Sequence, residues 1–139
     1  MTRINIIPIE QVSDQHLMAE YRELPRMIPF IDKWIEKGCL PVNQPTYVLG
    51  KGHMKFFLDK GPWLSLRHAR VVTELINVRG YNLSHREPLL FPSRIEGGYF
   101  IGEFSWDEIL LNQNRIREKI LLRPLFYTWT CREQPLWTY

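Results

Sequence analysis

Asp14-Gln15-His16-Leu17-Met18-Ala19-Glu20-Tyr21-Arg22-Glu23-Leu24-Pro25-Arg26 is the stretch whose reading decides the fold. Leu17, Tyr21 and Leu24, continued by Ile28, Ile31 and Ile35, step by three or four residues, which is the period of a helix with one buried face. Ser13 or Asp14 can cap its start. The stripe runs through Pro25 and Pro29, each of which removes an amide donor and bends the chain. One kinked helix to Lys37 and two shorter helices meeting near Leu24 therefore both satisfy the pattern. Gly38 is a natural stop. Away from the apolar stripe, His16, Glu23 and Arg26 fall broadly on one side with Arg22 nearby, so one carboxylate sits among cationic groups. Taken alone, that face is an ordinary solvated one with charge pairs one turn apart.

Outward from this segment, residues 39–63 read as loops and short helical turns around an aromatic pair, Phe56 and Phe57. A second helix is expected over Leu64 to Arg79, with Val71, Val72, Leu75 and Ile76 inward, Arg67, Arg70 and Arg79 toward solvent, and Gly80 ending it. Residues 81–104 read as irregular connection. Ser105 followed by Glu108 forms a capping box that opens a third helix, which Arg123-Pro124 ends. The tail from Leu125 to Tyr139 is too aromatic for disorder and should pack back, leaving one or two rings exposed. The expected fold is all-α: a compact single domain, residues 1–139, of about three main helices with long loops and an aromatic C-terminal tail.

A chain of 139 residues with 45% hydrophobic content can bury one substantial core but not two. Eighteen Lys and Arg against 15 Asp and Glu give a net charge of +3, and the excess is uneven. Residues 51–94 carry eight basic and three acidic side chains, and residues 115–132 carry five and one. A positive face suited to phosphates fits this pattern, as does a mixed solvated surface. Cys39 and Cys131 lack the spacing of a zinc or redox motif and read as buried or half-buried thiols. No apolar run is long enough to span a bilayer and no signal peptide is visible, so a soluble intracellular protein with no membrane partner is expected. His16, His53, His68 and His85 are dispersed without metal-ligand spacing, and no metal or cofactor is expected. The glycines of Leu49-Gly50-Lys51-Gly52-His53 read as a tight turn rather than a nucleotide loop.

Read together, Met1-Thr2-Arg3-Ile4-Asn5, the run from Asp14 to Arg26, Leu49-Gly50-Lys51-Gly52-His53 with Phe56-Phe57 and Asp59-Lys60, Arg79-Gly80-Tyr81-Asn82, and Arg115 with Glu118-Lys119-Ile120 and Arg123-Pro124 resemble the phage pyrimidine-dimer DNA glycosylase/abasic-site lyase family. The similarity is collinear along nearly the whole chain. It implies a bifunctional DNA repair enzyme acting on cyclobutane pyrimidine dimers in damaged double-stranded DNA. A cytoplasmic monomer encoded by a phage, virus or bacterium is the expected species.

In the family the initiator methionine is removed, and the amine of the next residue attacks C1′ of the damaged nucleotide. That role falls on Thr2, whose α-amine, with an ordinary pKa of about 7.7 to 8.0, is partly deprotonated at neutral pH. A glutamate positioned like Glu23 stabilises the cationic sugar and imine and assists proton transfer, so the resemblance names Thr2 and Glu23 as catalytic. It names Arg3, Gln15, His16, Arg22, Arg26, Arg115, Lys119, Arg123, Phe126 and Tyr127 as substrate-binding, with phosphates the targets of the forked arginines. Two departures stand out. The loop at 39–45 is nearly uncharged where the family carries lysines and arginines, and Thr128-Trp129-Thr130-Cys131-Arg132 lacks its lysine-glycine pattern. The alternatives are a noncatalytic DNA-binding protein on the same scaffold, a lyase limited to abasic sites or another base lesion, and an all-α interaction module.

Overall fold

The computed structural model describes residues 4–38, 44–92 and 103–139. Among them the regular structure is entirely helical. Helix α1 spans Asp14–Glu23, α2 Met27–Lys37, α3 His53–Phe56, α4 Gly61–Thr73 and α5 Trp106–Leu122, with short 3-10 turns at Ile9–Gln11, Leu24–Arg26 and Leu136–Thr138. Three of these helices carry most of the architecture together with long loops and the aromatic tail, as the sequence predicts. None is long and apolar enough to cross a membrane among the described residues.

Of the two readings of the long apolar stripe, the second is realised. Ser13 caps α1 by accepting from the His16 amide, and Pro25 sits in a 3-10 turn that joins α1 to α2. Pro29 falls in the first turn of α2, where its missing N–H has no intrahelical partner to lose. Leu17, Leu24, Met27 and Ile31 are fully buried, and each such side chain contributes about 2 kcal/mol through its removal from water. Gly38 and Gly80 both follow helical segments with positive φ. The capping box forms at the head of α5, with Ser105 and Glu108 satisfying each other's backbone amides.

The N-terminal segment is the least expected part of the core. Residues 4–7 are all buried, yet they pair with no strand. Side chains satisfy the backbone instead. The Ile4 amide donates to His53 Nε2 at 2.8 Å and the Ile6 amide to Asn112 Oδ1 at 2.7 Å. The Ile4 carbonyl accepts from Tyr47 Oη and the Ile7 carbonyl from Arg67 Nη1. Unpaired backbone groups in this position would each cost about a hydrogen bond's worth of stability. The aromatic pair predicted at Phe56 and Phe57 forms the floor beneath, in edge-on contact with Tyr47.

Three expectations are corrected. The second helix starts earlier, at Gly61, and its last turn, Glu74–Val78, widens to π geometry. Arg70 is exposed as expected, but Arg67 and Arg79 are buried. Their long side chains reach acidic partners that the helical period alone cannot reveal. Arg67 makes a two-pronged contact with Glu20, and Arg79 bridges Asp14 and Glu74 while donating to the carbonyl of Val12. Cys131 is exposed rather than buried, because it occupies the tip of a turn with φ of 61°; Cys39 lies outside the described residues. The tail folds back as expected, with the indoles of Trp129 and Trp137 donating to Gln11 and only the rings of Phe126 and Tyr139 well exposed.

Thr128 and Thr130 close the Arg79 cluster by donating to Asp14, and Arg132 adds a second arginine to Glu74. Burial alone pushes the Asp14 carboxyl up, but hydrogen bonds from Thr130, Thr128 and Arg79 outweigh it and hold it below its ordinary 3.8. Arg132, then Arg79, likewise hold Glu74 below 4.5 against its own desolvation. Both groups are therefore more acidic folded than unfolded. Their stabilisation is complete above the ordinary values and fades as the pH falls through the folded ones. Replacing Arg79 by Met should leave two buried carboxylates short of a cation and cost roughly 3 to 5 kcal/mol. Urea denaturation at pH 7 checks the loss, and the wild-type midpoint should fall steeply only below about pH 4.

Candidate active site

Helix α1 divides the candidate site in two. Successive residues turn by about 100° around a helix, so His16, Ala19, Glu20 and Glu23 share one side while Tyr21 and Arg22 face away from them. On the first side His16 and Glu20 line a cavity of about 300 Å³ that Asn5, Tyr47, Arg115, Lys119 and Tyr127 help to close. On the other, Tyr21, Arg22 and Pro25 line a second cavity, of about 410 Å³, with His68, His85 and Leu89. The exposed Arg26 continues the ridge between them.

The first cavity gathers four of the residues singled out by sequence. Arg115 and Lys119 lie one turn apart on α5 and make no ion pair among the described residues, so their charge is available at the cavity. The His16 ring lies flat on Tyr127, with centroids 4.6 Å apart and planes within 5°. Ser13 Oγ is 2.7 Å from His16 Nδ1. A serine hydroxyl that donates to Nδ1 leaves Nε2 to carry the proton of the neutral ring. Burial, and then the charge of Lys119, push the His16 pKa down to about 4. At neutral pH this is an uncharged, preset ring.

Two carboxylates one turn apart on α1 have opposite circumstances. Glu20 is buried and saturated: Arg67 grips both oxygens, and Asn5 Nδ2 donates to Oε1 at 2.9 Å. Asn5 in turn accepts from Asn112. Glu20 therefore ties α4 and the N-terminal segment to α1. Glu23 has Arg26 Nη1 3.2 Å from its Oε2, but that oxygen is buried and accepts no hydrogen bond. Its charge is matched and its lone pairs are not. Of the two, only Glu23 has a buried oxygen that accepts no hydrogen bond.

The remaining sequence candidates scatter. Gln15 has both ends of its amide engaged by Thr128, donating at 3.0 Å and accepting at 2.9 Å, which fixes the tail to the start of α1. Arg22 opens onto the second cavity and makes no ion pair among the described residues. Arg123, at the end of α5, lays its guanidinium 4.1 Å over the Phe126 ring. Thr2 and Arg3 lie outside the described residues. Among those described, no group of three His, Cys, Asp or Glu could hold a metal ion. Sequence reasoning passed over Asn5, Glu20, Tyr47 and Asn112 as site builders. Asn5 and Glu20 stood inside quoted motifs, but nothing in a polar residue's position announces that its partner is a hundred residues away.

A family model described as pyrimidine dimer DNA glycosylase matches residues 1–88. The match takes in the buried N-terminal segment, α1 and α4. Arg115, Lys119, Arg123, Phe126 and Tyr127 lie beyond it.

The electrostatics of the first cavity can be read directly. In a proton NMR titration His16 should protonate near pH 4. Lys119→Met should raise that midpoint yet leave it below the ordinary 6.5, because burial is the larger cause. A wild-type midpoint at the ordinary value would show the ring to be solvated.

Proposed function

Because the chain belongs to the pyrimidine dimer DNA glycosylase family, we propose that it releases dimer-damaged bases from duplex DNA and then cleaves the strand as an abasic-site lyase. The observation that supports this reading is Glu23, a half-buried carboxylate paired with Arg26 through an oxygen that accepts no hydrogen bond, one turn from a residue lining a cavity that Asn5 of the N-terminal segment also lines. The nucleophile is the amine of Thr2 after removal of Met1. Ile4 is tied through both its amide and its carbonyl, and two residues of chain span at most about 7 Å. On this reading the amine acts within reach of Ile4 and of the cavity that the next residue, Asn5, lines.

The chemistry follows from an amine in place of water. Its lone pair attacks C1′ of the 5′ nucleotide of the dimer as the glycosidic bond breaks and its electron pair leaves with the base. The nitrogen then loses a proton, the sugar ring opens, and an iminium forms at C1′. That cation acidifies the C2′ proton, and its removal expels the 3′ phosphate by β-elimination. Glu23 stabilises the cationic sugar and iminium and moves the protons. One nucleophile thus serves both activities, and no cofactor enters.

DNA binding is assigned around α1. Arg115 and Lys119 hold phosphates of the strand being cut, with His16 and Tyr127 against its sugar, and Arg22 and Arg26 hold phosphates along the ridge. Arg3 adds a contact beside the amine. Arg123 and Phe126 present a cation stacked on a ring to the flanking strand, and Gln15 acts by fixing the tail that carries them. Reaching C1′ of a base that is covalently joined to its neighbour requires opening the duplex. The second cavity, across the ridge from Glu23, is apolar enough to take a nucleotide turned out of the complementary strand. The whole chain works as one domain and one monomer.

Borohydride added during turnover of Met1-processed protein should trap it on abasic DNA, with the adduct at residue 2; an adduct on an internal lysine would sink the assignment. Glu23→Gln should slow base release by at least about a hundredfold while affinity stays within a few fold. Arg26→Ala or Arg22→Gln should weaken binding by roughly 1 to 3 kcal/mol at fixed salt. The deciding comparison is incision of matched duplexes carrying a cyclobutane dimer, a ring-opened purine, an abasic site or no lesion. Cutting of the abasic duplex alone would leave a lyase. Binding without cutting any of them would leave a noncatalytic DNA-binding protein.

A further inference from the structure

One oxygen at the head of α1 serves two groups, and the helix needs it for only one of them. Ser13 Oγ accepts from the His16 amide at 3.1 Å, which is the ordinary work of an N-cap. The same oxygen lies 2.7 Å from His16 Nδ1, and that contact plays no part in capping. Ser13 is fully buried, and its hydroxyl bonds to no other described residue. Its proton therefore goes to Nδ1, because a buried hydroxyl left without an acceptor is costly. With Nδ1 accepting, the neutral ring carries its own proton on Nε2.

The ring is also held in place. Tyr127 covers one face, with centroids 4.6 Å apart, so the imidazole cannot turn over without breaking this stack and the contact to Ser13. Nε2 has no partner among the described residues, and the ring lines the first cavity with the charged groups Glu20, Arg115 and Lys119. Burial, and then Lys119, keep the ring uncharged at neutral pH, so it has a hydrogen bond to offer and keeps its proton. The sugars and phosphates of a DNA strand present oxygens that accept and none that donate. The tautomer that Ser13 sets meets them with an N–H. The other tautomer would meet them with a lone pair.

We propose that Ser13 is a positioning residue that acts through His16, fixing the ring so that its Nε2–H donates to O4′ of the damaged sugar as that sugar opens. The proposal rests on the function assigned above. In this step the amine nitrogen, having lost a proton, uses its lone pair to form the double bond to C1′, and the C1′–O4′ bond breaks. The electron pair of that bond stays on O4′, which becomes a hydroxyl by taking up the proton the nitrogen released. Negative charge gathers on O4′ before that proton arrives, and a donor already in place stabilises it. His16 gives up no proton of its own.

The test uses the Met1-processed full chain and its Ser13→Thr and Ser13→Asp variants. Both replacements are good N-caps, so both variants should melt close to wild type. Threonine keeps the hydroxyl, whereas a carboxylate accepts, turns the bond round and moves the ring proton to Nδ1. At about pH 8, nitrogen NMR of the His16 ring should show Nε2 protonated in wild type and Ser13→Thr, and Nδ1 protonated in Ser13→Asp. A wild-type ring protonated on Nδ1 overturns the proposal. When wild type binds a duplex carrying a tetrahydrofuran residue, which keeps the ring oxygen but cannot open, the Nε2–H signal should move downfield. A signal that stays where it was overturns the proposal as well. Under single turnover on an abasic duplex, Ser13→Asp should form the borohydride-trapped imine about tenfold more slowly than wild type, the loss of one hydrogen bond, at nearly unchanged duplex affinity. Ser13→Thr should stay close to the wild-type rate. Equal rates for wild type and Ser13→Asp, or equal losses in the two variants, also overturn it. If Ser13→Asp does not fold, the wild-type ring signals, free and bound, decide the matter. Failure of wild type to form any imine would reject the assigned function, while those signals would still decide the role of Ser13.

Discussion

The structure depends on an extended segment buried without a sheet to receive it. Residues 4–7 lie in the core; the amides of Ile4 and Ile6 and the carbonyls of Ile4 and Ile7 are satisfied by His53 at the head of α3, Asn112 of α5, Tyr47 of the intervening loop and Arg67 of α4. Helices usually pack through apolar side chains and tolerate small slips. Here each must also set a polar group against a fixed point of the backbone, and a hydrogen bond tolerates less displacement than a hydrophobic contact. Three helices are registered against one stretch of chain, which is fixed from Ile4 onward. For an enzyme whose proposed nucleophile is the chain terminus, that is the constraint chemistry needs, since an untethered terminus would add its own freedom to the barrier.

Carboxylates on α1 divide the remaining work according to what reaches them. Asp14 is enclosed by Arg79, Thr128 and Thr130 and joins the C-terminal tail to the helix start. Glu20, saturated by Arg67 and Asn5, locks α1 to α4 and to the buried segment. Glu23, the last of the three, pairs with Arg26 through an oxygen that accepts no hydrogen bond. Buried ion pairs contribute modestly to net stability, because desolvation offsets most of the attraction. Their use here is geometric: the first two carboxylates fix α1 to the tail, to α4 and to the buried segment.

What the sequence made legible was local. The period of the apolar stripe, the Ser13 cap, the capping box at Ser105 and Glu108, and the stops at Gly38 and Gly80 concern residues within a turn of one another, and each is present. The fates of Arg67 and Arg79 were illegible because their partners Glu20 and Asp14 are 47 and 65 positions away. A helical period reports that an arginine leaves the apolar stripe, not that another helix meets it with a carboxylate. Gln15 had the same ambiguity, and Thr128 settled its contacts. In the site, a motif could mark Glu23 and Glu20 alike; telling them apart required knowing which oxygens were already occupied.

The two cavities give the two sides of α1 different surroundings. A duplex lying across the exposed ridge of Arg22 and Arg26 would present one strand to Glu23 and the opposite strand to the apolar chamber around His68. Each side supplies what the other lacks. The first cavity has the positive charge of Arg115 and Lys119, suited in the proposed reading to a sugar flanked by phosphates. The second has flat apolar walls and an uncharged ring, suited to a base that has lost its stacking. Separating these environments by the width of one helix keeps the charges of Arg115 and Lys119 away from the chamber and the apolar surface away from the reacting sugar. In the proposed reading, opening the duplex and attacking it fall to two faces of one element, held in register by the buried contacts of residues 4–7, Glu20 and Asp14.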